Sequence, residues 1–470
     1  MEGKLHPAQI WLYLTGGLVV GFVVGLWTVL TWQLGLAALA AAGGVIIFIP
    51  RLRPLSLVAV GIIAALLRGN DILVSPAPSS FIGPQQFVAQ ITAPPRLSKN
   101  TVRYFATLPN QPTLGQVLLI TRPEPRFNYG ETVQVICRQV EVVDFEGYLN
   151  QGIWRQCAWP EIKLLKVAPL SFKSWLLQLR QQAGQRLRTL LPEPPASLAS
   201  GMLWGDDSGL QPEVVTAFRR TGTSHLLAVS GYNVMILTEI MFWLLISLGL
   251  WQRLASFIVL GLIGSFVMFT GAEPSVVRAG VMGSLVLLAR LLARRPDEVN
   301  VLLGAAAAIL LVSPSLVRDL GFQLSFGAMA GLMLVSPHLK TRLNFIPTWL
   351  GLRESAIQTL GATATTLPII LWRLGQISWL SPVANLLVAP AVVWVFVFGL
   401  ASLLLSFIGT FLAVPAAWAL TAVLTYVIKV IAGLANLPLA ASQSSASVWL
   451  GVALIYGLFI WRLKFKPVTS

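Results

Sequence analysis

Long apolar runs and short alternating stretches divide this chain into regions of different material. Runs at 10–30, 34–49 and 55–67 form a first block. The third is short for a membrane span, which needs about 20 apolar residues. A second block, from about 198 to 463, predicts spans near 226–248, 254–271, 275–293, 299–314, 320–336, 356–372, 382–407, 409–430 and 448–462. The 299–314 run is short, and 201–218 reads equally as a re-entrant segment. The first run is too long for a cleavable signal and another follows it at once.

Between the blocks, 71–165 holds Pro-rich turns and period-two stretches: Phe87-Val-Ala-Gln-Ile91, Val102-Arg-Tyr-Phe-Ala106, Val117-Leu-Leu-Ile120 and Thr132-Val-Gln-Val-Ile136. Their β-branched and aromatic content predicts a small barrel or sandwich. At 171–191, Phe172, Trp175, Leu176, Leu179, Ala183, Leu187 and Leu190 recur at three- and four-residue steps. This predicts an amphipathic helix, lying at the membrane surface or packed against the β domain. Pro192, Pro194 and Pro195 end it. The fold class is a polytopic α-helical membrane protein with a small extracytoplasmic β domain inserted after the first helices. The domains expected are 1–70 (first helices), 71–168 (β domain), 169–196 (interfacial helix) and 197–465 (multi-helix domain).

Composition agrees. Of 470 residues, 56% are hydrophobic and 11% charged, against about 25% charged in soluble domains. Disorder is excluded, and the composition argues against an ordinary soluble enzyme. The formal charge of +15 has two readings, positive-inside loops and attraction to a polyanion. Lys4 and Arg51/Arg53 place both N-terminal turns in the cytoplasm, and hence the β domain outside. Alternate crossings then put Arg253, Arg294/Arg295, Lys340/Arg342/Arg353 and Arg462/Lys464/Lys466 inside, while Arg373 and Lys429 count against the scheme. Two cysteines and three histidines exclude a disulfide-rich scaffold and a His-rich metal centre; no metal or cofactor is expected. Cys137 and Cys157 form one disulfide in an oxidising compartment, or stay as two buried thiols.

Candidate chemistry sits in polar islands. Gly201-Met-Leu-Trp-Gly-Asp-Asp-Ser-Gly209 reads as an amide-lined turn facing a phosphate, or as the start of a helix capped by Asp207 or Ser208. In Phe218-Arg-Arg-Thr-Gly-Thr-Ser-His-Leu-Leu-Ala-Val-Ser-Gly231, Arg219 and Arg220 precede a span with His225 at its mouth. Paired arginines suit a phosphate backbone or interfacial anchoring. Ser224 or Ser230 with His225 has no carboxylate in a predictable place to complete a hydrolase triad. Glu239 falls mid-span and Arg278 about one turn into another, after Glu273. Charges there mark function or structural pairing, and pairs Glu273–Arg278 and Glu239–Arg278 are expected. Pro314, Pro337, Pro368, Pro382 and Pro390 predict helices broken around a cavity.

These stretches together resemble the ComEC competence family. The resemblance rests on Gly205-Asp-Asp-Ser-Gly-Leu210, on Phe218 through Gly231 (with Thr221, Gly222 and Thr223), and on Pro274-Ser-Val-Val-Arg-Ala279. It continues through Asn300 with Pro314, Gly321-Phe-Gln-Leu-Ser-Phe326, Thr366-Leu-Pro368, and Ser381-Pro-Val-Ala-Asn385 with Pro390. Upstream, Asp144-Phe-Glu-Gly-Tyr-Leu149 with Gly152-Ile153 looks like the end of that family's N-terminal domain. The motif residues carried over are Gly205, Asp206, Gly209, Thr221, Gly222, Thr223, Ser230, Gly231, Asn233, Gln323, Ser325 and Asn385. The resemblance implies an inner-membrane channel for one strand of transforming DNA and an OB-like domain on the outer face. It departs where the family usually has His after Ser-Gly-Leu, for here Asn233 stands. Many members continue into a metallo-β-lactamase-like domain. This sequence has no His-x-His-x-Asp-His pattern, so no enzyme activity is expected from it.

The leading expectation is a plasma-membrane channel for single-stranded DNA, with Arg219, Arg220, His225, Glu239, Glu273 and Arg278 along the DNA path. Expected partners are the lipid bilayer, a separate DNA receptor, an ATP-driven motor and a separate nuclease. The alternatives are a transporter for a smaller anionic solute or lipid precursor, and a membrane scaffold of a competence assembly.

Overall fold

In a computed structural model, the structure describes residues 6–25, 38–39, 41–42, 45, 53–73, 83–98, 101–109, 116–122, 124, 127–142, 153–169, 171–207, 209–227, 229, 231–348, 351–437 and 442–443. The expected run at 34–49, the span at 448–462, the Asp144–Gly152 motif, Ser230, Lys4, Arg51 and the basic C-terminal cluster lie wholly or mostly outside these residues. Two compact units divide the chain. One holds Met1–Leu210, Ala228–Gln323 and Phe396–Thr421; the other holds Gln211–Leu227, Leu324–Val395 and Ala422–Ser470.

The first unit opens with two helices, α1 (Pro7–Val24) and α2 (Arg53–Leu73). His6 caps α1 by accepting from the Ala8 amide at 3.3 Å. The two helices touch backbone to backbone. A Cβ on Gly17 would lie 2.3 Å from the Val58 carbonyl oxygen, and one on Gly61 2.5 Å from that of Leu14. Small residues at a contact allow this approach, which gives helices in lipid their packing energy.

The β domain follows, as β1 (Gly83–Ile91), β2 (Arg96–Ser98), β3 (Thr101–Thr107), β4 (Gln116–Thr121), β5 (Thr132–Val142), β6 (Ile153–Ala158) and β7 (Glu161–Lys166). All four expected stretches fall inside strands. Five strands close a ring in the order β1-β3-β4-β6-β5 and back to β1. Only β4–β6 is parallel; the other four neighbours are antiparallel. Closure removes open edges and resembles the OB fold. Period two fills the core: Phe87, Ala89 and Ile91 from β1, Val102, Tyr104 and Ala106 from β3, Val133, Val135 and Cys137 from β5. The Tyr104 hydroxyl accepts from the Phe127 amide at 3.1 Å. Cys137 and Cys157 are joined as a disulfide, their Cα atoms 6.1 Å apart.

The helical part comprises α3 (Phe172–Leu190), α4 (Pro195–Trp204), α5 (Pro212–Arg220), α6 (Gly231–Ser247), α7 (Gln252–Phe269), α8 (Pro274–Leu291) and α9 (Glu298–Val312). It continues with α10 (Leu320–Leu334), α11 (Ser336–Arg342), α12 (Leu352–Leu374), α13 (Ser381–Ile408) and α14 (Thr410–Ala435), while a two-residue ladder pairs β8 (Gln376–Ile377) with β9 (Ser442–Gln443). Among the described residues, α7, α8, α13 and α14 are long and apolar enough to cross a membrane, and α10–α11, bent by 47°, would make a fifth.

Two expectations are corrected. Pro368 and Pro390 lie inside continuous helices, α12 and α13, whereas Pro314, Pro337 and Pro382 sit at helix starts. Proline lacks an N–H, which costs least in a first turn; a packed bundle tolerates it further in. The helix after the 205–209 turn starts at Pro212 with Gln211 as its cap residue, so Asp207 does not cap it.

Candidate functional site

In the first unit the motif residues gather where α4 ends. All ten α4 residues are buried. Gly205 closes the helix at φ 78°, with its amide on the Gly201 carbonyl and the Asp206 amide on that of Ser200. This C-terminal turn needs a residue free to adopt the left-handed conformation, hence glycine. A Cβ there would meet Val229 at 3.3 Å and the Glu273 side chain at 3.6 Å. Asn233, 3% exposed, donates from Nδ2 to the Met202 carbonyl at 2.8 Å, tying the first turn of α6 to α4. Gly231 lets α6 approach α8, since its Cβ would lie 3.3 Å from that of Ala279. Ser275 donates to the Val229 carbonyl at 2.7 Å. An amide supplies a buried donor here without a titrating ring, so an imidazole is not needed for this tie. At Gly209 a Cβ would fall 2.2 Å from Ser197 Oγ, so a larger residue there would displace that hydroxyl.

Arg278 does not meet its expected partners. It is 6% exposed and feels the charge of Asp319. Both side chains converge on Gly321, where a Cβ would lie 3.1 Å from Asp319 Oδ1 and 3.7 Å from Arg278 Nη2. Asp319 also accepts from the Phe322 amide at 2.7 Å, and Gln323 donates to the Val317 carbonyl at 2.9 Å. The 310-helical turn Pro314–Arg318 is thereby tied to the start of α10 beside the arginine. Glu239 instead lines a cleft of about 160 Å³ with Thr238, Phe242, Trp243, Leu287 and Arg290. The reason is register. Gly231 sits beside Ala279, so Glu239 lies eight residues, about 12 Å, further along the helix than Arg278's level. Glu273 points toward Gly205 rather than serving as the local partner of Arg278.

In the second unit, α5 ends in Arg219 and Arg220, both exposed beside the partly negative carbonyl end of their helix. Thr221 and Thr223 are fully buried, with their hydroxyls 2.8 Å apart. Between them Gly222 holds φ 69°, and a Cβ there would fall 2.8 Å from that of Ser381 and 3.1 Å from that of Ser378. Asn385 donates to Ser381 Oγ at 3.3 Å. His225 sits exposed in the 310 turn Ser224–Leu226. Ser325 is half-buried on α10. Glycines again set the helix crossing, for a Cβ on Gly331 would lie 2.2 Å from the Gly361 carbonyl oxygen, and Thr365 donates to that of Gly327 at 2.6 Å.

Sequence reasoning missed Asp319, Arg290 and the Ser378/Ser381 contact. Asp319 carried a usable signal, being a carboxylate between two apolar runs in a chain with only 18 acidic residues.

An OB-like barrel joined to a bundle of apolar helices, with glycine-set contacts at the motif positions, defines a helix-rich protein of the multi-pass type. The chain belongs to the competence protein family, whose model matches residues 202–466, more than half of it. It is 32% identical over 222 residues to ComE operon protein 3 of Bacillus subtilis (strain 168), a match covering 47% of this chain and 28% of that protein. The chain thus matches well under two thirds of that relative's length. No solved structure matches it.

Proposed function

We propose that this chain is a multi-pass protein of the plasma membrane that conducts single-stranded DNA into the cytoplasm, with its barrel on the outer face. Membership of the competence family over 202–466 carries the reading. Four apolar helices of spanning length support its placement in a bilayer. Arg219 and Arg220 are exposed where they can track phosphates. Arg278, buried and under the influence of the Asp319 charge near Gly321, is assigned to bracing α8 rather than contacting the strand. No catalysis is assigned to these residues; degradation of the other strand, surface capture and driving force fall to a nuclease, a receptor and an ATP-driven motor outside this chain.

Deletion of the gene, followed by labelled DNA, tests this. Cytoplasmic label should be lost while surface-bound DNA persists, and the intact chain should restore it. Label in the cytoplasm of the deletion strain would contradict the proposal. Arg220→Ala should lower uptake at unchanged membrane abundance. A second reading, transport of a smaller anionic solute, is favoured by the 160 Å³ cleft beside Glu239 and Arg290, which suits a small molecule and not a strand. Steeply salt-dependent binding of single-stranded DNA by the purified chain distinguishes the first reading from the second.

A further inference from the structure

The apolar face expected to lie on the membrane along α3 is occupied by protein. Leu176, Leu177, Ala183 and Leu187 are buried, and α3 packs on α4 and α7, with Gly184 beside Trp204. Arg180 donates to the Thr270 carbonyl at 2.7 Å, and the Arg186 guanidinium lies 4.3 Å over the Phe407 ring. What remains uncovered is a different patch, just upstream and at the first turn. Leu164, Leu165, Val167, Phe172 and Trp175 are all exposed, from 47% at Leu164 to 68% at Val167. Phe172 and Trp175 stack with ring centroids 5.9 Å apart.

These five large apolar side chains fall within twelve residues spanning the end of β7 and the start of α3. The join is fixed in place. Ala168 packs against Gly130, β7 pairs with β5 from Glu161 to Lys166, and Lys173 sits 4.4 Å over the Tyr129 ring. Large apolar side chains left exposed together on one short segment of an otherwise well-packed barrel mark an interaction surface. Its charge names the partner. From residue 162 to 192 there is no Asp or Glu, and six Lys or Arg are present; Lys163, Lys166 and Lys173 stand among the apolar side chains. Trp and Phe rimmed by Lys suit the headgroup layer of an anionic bilayer, where rings enter the acyl boundary and ammonium groups meet lipid phosphates.

We infer that the β7–α3 join, through Leu164, Leu165, Val167, Phe172 and Trp175 with Lys163 and Lys166, is a lipid-surface anchor that inserts into anionic headgroups and holds the barrel against the bilayer. The inference rests on the membrane placement proposed above and not on DNA conduction. An anchor here would fix the height of the barrel over the membrane independently of its attachment to α2.

The full chain reconstituted in proteoliposomes tests it. Both native cysteines are bonded to each other, so one added cysteine is the sole free thiol for an environment-sensitive fluorophore. Phe172→Cys and Val167→Cys carry the probe at the patch. Leu262→Cys reports from the middle of α7. Glu141→Cys lies nine residues along β5 from the Lys166 partner Thr132, about 30 Å away, and serves as the aqueous reference. Lipids with a nitroxide high on the acyl chain should quench Phe172→Cys and Val167→Cys about twofold or more, and leave Glu141→Cys unquenched. A nitroxide deep on the chain should quench Leu262→Cys.

Quenching at Leu262→Cys with water-like, unquenched emission at 167 and 172 would overturn the anchor while sparing the membrane placement. Absence of quenching at Leu262→Cys would overturn both. Blue-shifted but unquenched emission at 172 would assign the patch to a protein partner or a second copy and so overturn the inference. Quenching at 172 should weaken when phosphatidylglycerol is replaced by phosphatidylcholine, and Lys163→Gln with Lys166→Gln should abolish that difference. Equal quenching in both lipids would overturn the assignment to anionic headgroups.

Discussion

In the barrel, large apolar side chains point in; in the helices, many point out. Leu119 on β4 is fully buried in the barrel core and its neighbour Leu118 is buried in a second cluster with Phe105 and Ile153, whereas Trp418 on α14 is 73% exposed and Ser402 on α13 fully buried. The barrel follows the logic of a protein in water, with burial of apolar surface as its main driving force. The helices invert that pattern. Their contacts are set by glycine and by hydroxyls bonded to their own helix, as at Gly17, Gly61, Gly331, Ser402 and Thr421, and their outer faces carry Trp, Leu and Phe. Without a hydrophobic force between helices, close packing has to do the joining. One chain therefore has to be read with two solvents. The β7–α3 join, apolar and exposed although it belongs to the barrel, carries the outward pattern of the helices onto the barrel.

The sharpest break comes from the buried charge in the helices. Arg278→Ala removes a buried guanidinium that offsets the charge of half-buried Asp319 and should cost about 3 kcal/mol, seen as lost membrane abundance. Arg278→Gln with Asp319→Asn should recover much of it. If Arg278→Ala instead keeps full abundance and loses uptake, the arginine acts on the strand and not as a brace. In the barrel the corresponding constraint is covalent. Replacing Cys137 and Cys157 by Ser should cost the barrel about 3 kcal/mol, lowering its melting transition in near-ultraviolet circular dichroism. An unchanged melt would show that the β core alone holds the domain.

Lysine insertion compares the two surfaces directly. Leu262→Lys, mid-way along α7, should disfavour membrane insertion by about 3 kcal/mol. Gln86→Lys on the exposed side of β1 should stay within about 0.5 kcal/mol. Alkali extraction of membranes and thermal melting read the two values. Equal tolerance at both positions would remove the distinction between the surfaces. Among the destabilising changes the mildest is expected at Asn233→Ala, which strips the buried Met202 carbonyl of its donor and should cost about 1.5 kcal/mol. Abundance of this variant at 37 °C would fall modestly, and an unaffected variant would mean that water or another group replaces the amide.

The barrel was the more legible region. Alternation at Phe87–Ile91 and Thr132–Ile136 located two of its strands, because a sheet with one watered face alternates; Val102–Ala106 and Val117–Ile120 were visible as β-branched and aromatic runs instead, since β3 and β4 are covered on both sides near Phe105 and Leu118. Its ring closure depended on β1–β5 and β4–β6 pairings, which alternation does not encode. Helices of spanning length were visible as apolar runs, but their internal relations were not. Glu239 and Arg278 both read as intramembrane charges, yet register placed them two turns apart, and the carboxylate facing Arg278 came from a residue 41 positions away. Pro368 and Pro390 read as breaks although tertiary packing kept their helices whole. The motif glycines were recognisable as a set, but only φ at Gly205 and Gly222 shows why glycine is favoured there, and only the close approaches at Gly209 and Gly231 show what a larger residue would crowd.

The contrast between barrel and helices requires that they face different solvents, and thiol accessibility in intact cells reads this directly. A membrane-impermeant maleimide should label Glu141→Cys in the barrel from outside, label Arg295→Cys only after permeabilisation, and leave Leu262→Cys in α7 unlabelled in both. Labelling of Glu141→Cys only after permeabilisation, or free labelling of Leu262→Cys in intact cells, would contradict the account.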